Sequence, residues 1–373
     1  MNSLYIHIPF CKQKCIYCNF YSRIYKESDA SDYVDAILLQ LDKLMGPFKT
    51  IYVGGGTPTA LSLPLLEKLM QRLLRLSKAS VEFTFEANPE SADPDKMKML
   101  LDHGVNRLSI GVQSLEDEKL KKLGRIHDVS KAVESVMAAQ KTGFDNISID
   151  FIFGLWGENL NNWKREVKKA AKLPVKHISC YELTCEKGTP LSIMLKNKTI
   201  APIEDDVAAD MYEAAIEGLS FMGFKQYEVS NFAKVGFESR HNMNYWDNSN
   251  YLGLGASAFS YDGQTRYRNV SDACEYAKLV HAGKKIVEFS EKLSPERRAK
   301  ETAAVKIRTK EGINFDWFKK KTGYDLMDLE SKALPELIGE GLIKYIRDKD
   351  VLTGISLERK GFLFCDTVSS GLL

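Results

Sequence analysis

The sequence lacks an excess of either charge: 52 basic side chains stand against 50 acidic ones, for a formal net charge of +2. Proteins held to nucleic acid or to anionic membranes by their overall field carry a larger imbalance, so neither partner is expected. No apolar run approaches the roughly 18 residues of a membrane-spanning helix, and no integral membrane segment is expected. The opening stretch from Met1 to Pro9 has neither a basic segment nor an apolar core of signal-peptide length. Seven cysteines, an odd number, accompany it, which suits a reducing compartment. The expectation is a cytoplasmic protein. A hydrophobic fraction of 44% and a charged fraction of 27% over 373 residues are those of a globular protein, with length for one large α/β domain and a smaller one or for two or three modest domains.

What the chain does have is a compact group of thiols. Cys11, Cys15 and Cys18 stand in C-x3-C-x2-C spacing directly after a short apolar run, Leu4 to Ile8, that Pro9 ends. Such spacing marks a metal or iron–sulfur site rather than a packing feature. Zinc is the competitor, but a closed structural zinc site needs four ligands. Position 20 is Phe, and His7 lies within the preceding strand, so the loop offers no fourth donor. Three thiolates would hold three irons of a [4Fe–4S] cluster and leave the fourth to a non-protein ligand.

The pattern that follows is repetitive. Strands are predicted over Thr50 to Val53, Val81 to Phe85, Arg107 to Gly111, Asn146 to Phe153 and His177 to Leu183. Between them helical periodicity covers Asp32 to Leu44, Pro64 to Leu76, Pro94 to His103, Lys131 to Thr142 and Asn161 to Ala171. Six β-then-α repeats imply a parallel sheet with right-handed crossovers. The repeat signal fades after Leu183, so a partial (β/α)6 TIM-like barrel of the α/β class is expected. A long helix over Asp205 to Phe221 and a glycine- and aromatic-rich stretch follow. Residues 1–235 then form the core and 236–292 an extension. Residues 293–373 form a small winged-helix-like α+β domain, with helices over Pro295 to Thr309, Phe315 to Lys321 and Met327 to Glu340. Its hairpin runs over Leu342 to Ile346 and Val351 to Thr353.

Polar residues gather at the C-terminal ends of these strands, where parallel α/β folds build their sites. Gly54, Gly55 and Gly56 follow the second strand; they lack the ending of a phosphate-binding loop and mark either a plain turn or a close approach to a ligand. Glu86, Gln113, Arg125 and Asp150 are each ordinary alone, but together could bind an amine, a carboxylate and ribose hydroxyls. Further on, His241, Tyr245 and Trp246 form an H-N-x-x-Y-W motif, with Tyr251 close behind. The histidine reads either as a heme ligand with the aromatics stacked on a macrocycle, or as a buried residue of a packed corner.

Several segments carry a family resemblance. Tyr5-Ile-His-Ile-Pro-Phe-Cys11, the three-cysteine loop, GGGTPT at 54–59, Glu86-Ala-Asn-Pro, Ser109-Ile-Gly-Val-Gln113-Ser, Gly124-Arg125-x-His and Asp150-Phe-Ile-Phe-Gly154-Leu run the length of the core. In these the chain resembles the radical S-adenosylmethionine (SAM) family of oxygen-independent coproporphyrinogen III oxidases and their relatives. The resemblance implies a radical SAM barrel with a [4Fe–4S] cluster on Cys11, Cys15 and Cys18. It implies SAM contacts at Tyr5, Gly55 and Glu86, and a second SAM at Tyr17, Gly56, Thr57, Gln113, Arg125 and Asp150. The oxidases carry a further cysteine where this chain has Phe20, and the family's heme chaperones carry H-N-x-x-Y-W. The chaperone branch implies heme as cargo, apo-hemoproteins as recipients and a possible homodimer. The alternative is oxidative decarboxylation of coproporphyrinogen III.

Overall fold

In the computed structural model, which describes residues 3–77 and 81–373, six strands are joined by helical crossovers. Ser3–Ile8, Thr50–Gly55, Glu82–Ala87, Arg107–Gln113, Asn146–Phe153 and His177–Glu182 pair in that order, each parallel to the next. The helices Glu27–Leu41, Leu63–Leu74, Pro94–Asp102, Val129–Thr142 and Leu160–Ala170 make the crossovers that parallel neighbours require.

Along each strand alternate residues are apolar and buried: Leu4, Ile6 and Ile8, then Ile51 and Val53, Phe83 and Phe85, Leu108 and Ile110, Ile147 and Ile149, and Ile178. Their alternates are polar or small, among them Tyr52, Glu86, Arg107, Ser109, Asp150, His177 and Ser179, and these line one internal cavity. A parallel strand buried in apolar surroundings on both faces reads as an unbroken apolar run. The alternation here therefore marks an outer face packed under helices and an inner face on a polar lumen.

The sheet continues past these six strands. Tyr251–Leu254 pairs parallel with the first strand, and Phe259–Tyr261, Thr265–Asn269 and Val287–Lys292 extend it antiparallel. At the other end Asn231–Ala233 and Lys225–Gln226 run antiparallel beyond the sixth. The whole is an open twelve-stranded sheet, a partial barrel. The added strands are two to six residues long, too short for the sequence periodicity to register. Gly253, inside the strand Tyr251–Leu254, permits the close approach of the next strand, since a Cβ there would sit 2.1 Å from the carbonyl oxygen of Phe259.

Helix boundaries shift in places. The first helix starts at Glu27, not Asp32. The fourth strand runs two residues beyond Gly111 to Gln113. The helix predicted over 327–340 is two pieces, Leu326–Leu329 and Ala333–Gly339. Pro335 lies in the first turn of the second piece, where a missing N–H is tolerated, and it could not continue a helix from the first. The C-terminal part places Val351–Leu357 between Ile313–Asn314 and Ile343–Asp348 in an antiparallel sheet. It meets the barrel through Arg359 with Glu213 and Glu217, and through Lys306 with Asp247 at 2.7 Å. Among the described residues no helix is long and apolar enough to cross a membrane.

Candidate functional site

The cysteine loop leaves the end of the first strand and is pinned by its backbone. Thr57 N–H donates to Phe10 O at 2.7 Å, Gly56 N–H to Ile8 O at 2.9 Å, and Tyr25 N–H to Cys11 O at 2.9 Å. On the far side Ile16 N–H donates to Leu123 O, and Leu191 N–H to Ile16 O. The glycine triplet makes this packing possible. A Cβ on Gly56 would meet Phe10 O at 2.8 Å and Cys11 Sγ at 3.0 Å; one on Gly54 would meet the Glu86 carboxyl at 2.7 Å. Gly55 adopts φ +115° against the His7 ring. These glycines therefore make room first for the chain's own cysteine loop, His7 and Glu86.

Cys11, Cys15 and Cys18 are half-buried free thiols that line one cavity of about 470 Å³. Donors point at two of the sulfurs: Thr57 Oγ1 lies 3.6 Å from Cys11 Sγ, and Arg125 Nη1 donates to Cys15 Sγ at 3.3 Å. Asn88 holds Thr57 in turn, its Nδ2 2.8 Å from the threonine oxygen. Burial raises the Cys11 and Cys18 thiols, so each needs a positive partner to ionise. Among the described residues no three His, Cys, Asp or Glu are gathered closely enough for a single ion. Zinc, with bonds of about 2.3 Å, would gather its sulfurs around one point, whereas a cluster spreads its thiolates over separate irons. Three thiols around one cavity, with cationic and hydroxyl donors aimed at the sulfurs, fit an anionic iron–sulfur cluster.

Above the loop stands Arg125. Its Nη2 donates to Gly111 O at 3.1 Å, and Glu90 lies 3.8 Å from the same nitrogen. His127 backs Glu90, with Nδ1 at 3.3 Å and Nε2 on Val112 O at 3.2 Å. Burial alone would depress the guanidinium, but Tyr17, Cys15 and Glu90 raise it. Burial also raises the Tyr17 phenol. Gln113 sits at φ 65° after an irregularity in pairing with the fifth strand, a left-handed conformation uncommon for a non-glycine residue. That bend belongs to a residue lining the cavity.

Deeper in the lumen lie two buried acids. Glu86 accepts from the Tyr52 hydroxyl at 2.6 Å and from Gly55 N–H at 3.1 Å, yet burial pushes its pKa up to about 7. Asp150 is raised by burial as well, with Ser109 at 3.5 Å. Of the SAM residues the resemblance implies, Tyr17, Gly55, Gly56, Thr57, Glu86, Gln113, Arg125 and Asp150 all line the same cavity. Tyr5 does not: its hydroxyl meets His7 Nδ1 at 2.9 Å behind the wall.

The heme candidates are placed differently. His241 belongs to the short helix Arg240–Trp246, set against the starts of the barrel strands. It is 1% exposed, with Nδ1 2.7 Å from Thr50 Oγ1 and Nε2 3.1 Å from the Tyr245 hydroxyl. Glu82 caps that helix, accepting from Arg240 N–H at 2.8 Å and His241 N–H at 2.9 Å. Tyr245 packs edge-on against Tyr251 at 4.7 Å, and Arg308 lies over the Trp246 ring at 5.3 Å. Both ring nitrogens are thus engaged, linking Thr50 at a strand start to Tyr245 of the helix. Tyr245 and Trp246 likewise meet protein, and none of the three lines the cavity. Arg107, Tyr52, Asn88 and His177, none of them a site candidate from the sequence, do line it. Their signal was the phase of the strands, polar residues falling in register with Glu86 and Asp150.

Residues 5–170 match the model of the radical SAM superfamily. The heme chaperone HemW of Bacillus subtilis is 37% identical over 352 residues, spanning 92% of this chain and 93% of that protein. The heme chaperone HemW of Lactococcus lactis is 35% identical, spanning 97% and 94%. The chain belongs to the HemW family of the radical SAM superfamily. Among solved structures, that of coproporphyrinogen III oxidase (HemN) from Escherichia coli, a radical SAM enzyme, superposes with a TM-score of 0.84. It covers 99% of this chain and 89% of its own at 21% identity, a likeness of fold alone. HemW-family membership thus rests on sequence, and the barrel on both comparisons.

Proposed function

We propose that this chain is a heme chaperone built on a radical SAM scaffold, binding heme and passing it to apo-hemoproteins in the cytoplasm. The observation that carries the reading is likeness to HemW proteins over nearly the full length of both chains. Cys11, Cys15 and Cys18 hold a [4Fe–4S] cluster, with Thr57 and Arg125 as hydrogen-bond donors to its sulfurs. When bound, the cluster supplies an iron free of protein ligands for the amino and carboxylate groups of SAM. Gly55 and Glu86 contact that SAM from the cavity wall, with Tyr5 supporting them through His7. Glu86, its pKa pushed up to about 7 by burial, can accept an N–H of that amino group when ionised. Arg125 is held by Gly111 O and Glu90 where it can take a carboxylate or a sulfur. The helix Arg240–Trp246 closes the floor of the barrel, and His241 fixes it there. Domain limits at 235 and 292 and a homodimer belong to the same reading, the latter open to test by sedimentation.

A second reading, coproporphyrinogen III oxidation, draws on the residues matching the oxidases' second SAM, all six of which line the cavity. Against it stands Phe20, 66% exposed at the cavity mouth in place of a further cysteine. One preparation decides. The anaerobically reconstituted protein is titrated with heme, mixed with an apo-hemoprotein, and assayed for decarboxylation with SAM and reductant. Heme binding and transfer without turnover is expected; multiple-turnover decarboxylation overturns the chaperone reading.

A further inference from the structure

One cation in the lumen has no use in the site described so far. Arg107 opens the fourth strand, is 2% exposed and lines the cavity. By register it stands level with Thr84, two residues nearer the strand starts than Glu86. Its Nε is buried without a hydrogen-bond partner. The acids near it by register are otherwise engaged, Glu82, two residues before Thr84, by the N–H groups of Arg240 and His241. Both Glu86 oxygens are taken, by Tyr52 and by Gly55 N–H, and Asp150 is served by Ser109 and Ser179. Arg107 reaches them only through space, its charge opposing the rise of both carboxyl groups and adding to the depression of His177 and His241.

A buried guanidinium stays charged, because arginine does not deprotonate in proteins. Leaving such a charge unpaired is costly, and an unpaired buried donor is costly again. Offsetting Glu86 and Asp150 from a distance is a poor reason to retain it, since burial already favours the protonated form of both acids. The cavity supplies a better one. It runs from the three cysteines at the strand ends to Asn242 on the floor helix, and Arg107 stands along that path. A planar fork of donors, short of an anion, at the inner end of a ligand cavity is matched by a carboxylate.

We infer that Arg107 is the anion receptor of the lumen, taking the carboxylate of a ligand arm that enters between the cysteines and Asn242. The inference rests on the radical SAM and heme reading, which offers two carriers of that group: a heme propionate and the aminoacyl end of a second SAM, the first having its carboxylate on the cluster iron.

The test compares reconstituted wild type and Arg107→Gln by equilibrium titration with heme, heme dimethyl ester, SAM and decarboxylated SAM, the last two on protein already holding one equivalent of SAM. Circular dichroism and iron content verify that each protein is folded and loaded. For one of the two pairs, wild type should bind the acid about tenfold more tightly than its carboxylate-free analogue, as a charge-assisted bidentate contact would give. Arg107→Gln should shrink that margin and leave the analogue's affinity unchanged; the pair that responds names the carrier. Should Arg107→Gln not fold, Arg107→Lys keeps the charge without the fork and should reduce the margin in part. No margin in wild type for either pair, or margins untouched by substitution, overturns the inference. A protein that binds no heme but loses its SAM margin would instead overturn the chaperone reading and leave the receptor standing.

Discussion

Replacing His241 by alanine separates a heme ligand from a structural strut. The imidazole is 1% exposed, bridges Thr50 Oγ1 at 2.7 Å and the Tyr245 hydroxyl at 3.1 Å, and lies 5.0 Å from the Tyr52 ring. Burial, with Arg107 adding to it, pushes its pKa down to about 3, so the ring is neutral at physiological pH. A neutral imidazole has one donor and one acceptor nitrogen, and both are in use. Thr50 retains Ser3 at 2.8 Å after the substitution, but the Tyr245 hydroxyl loses its imidazole partner. That loss costs about 1–3 kcal/mol, and the void left by a buried ring about 2 more. His241→Ala should therefore unfold about 3–5 kcal/mol more easily, measured by denaturant titration of the apoprotein with an unchanged slope. The pH dependence has a definite sign. A histidine depressed in the folded state stabilises above its unfolded value of 6.5, and that stability drains away as pH falls toward about 3. The variant should lose stability less steeply over that window. Heme affinity, the Soret band and heme transfer should survive under conditions where the variant remains folded. A variant as stable as wild type but with an altered Soret band would refute the strut and restore the ligand.

Cys15→Ser should abolish a SAM-responsive cluster of about four irons per chain, while Cys274→Ser, at an exposed thiol outside the cavity, should keep it; equal iron in both variants would remove the cluster assignment. Glu86 contributes most to stability when protonated: with a folded pKa of about 7 against an ordinary 4.5, its contribution falls as pH rises through that window, by about 3 kcal/mol in all. Glu86→Gln should flatten that slope in the apoprotein, and an unchanged profile would show that Glu86 ionises freely. Lys119 holds Glu158 at 2.6 Å and Glu166 at 2.9 Å in a buried triad under Trp163. Lys119→Met strands two carboxylates and should cost about 3–5 kcal/mol in a melt monitored at neutral pH; a loss below about 1 kcal/mol would mean that water reaches the pair.

The parts of this molecule legible in its sequence are those fixed by neighbours along the chain. The cysteine loop declared itself because its three thiols share one turn of backbone, and the six parallel strands because each is bounded by its own helix. Glu86 and Gln113 could be placed at strand ends and Asp150 within its strand for the same reason; Arg125 follows the helix Asp117–Lys122 instead, and the cavity gathers all four. What stayed hidden depends on partners far away in sequence. His241 meets Thr50 across 191 residues and Glu82 across 159, so no local pattern could distinguish an imidazole with both nitrogens taken from one awaiting iron. Glu90 meets His127 across 37 residues, with Arg125 beside it. Arg107 is the most instructive case. At the start of a strand an arginine is ordinarily solvated, and only the inward phase of Tyr52, Glu86 and Asp150 on neighbouring strands shows that it points into the lumen. Hydrophobic alternation was visible in every one of these strands, but its usual reading is a sheet with one wet face. In a curved parallel sheet closed on its outside by helices, the polar face has nowhere to go but inward. The same pattern that would mark solvent in an open antiparallel sheet here marks the ligand chamber, and a charge found on it is to be explained by what the chamber holds.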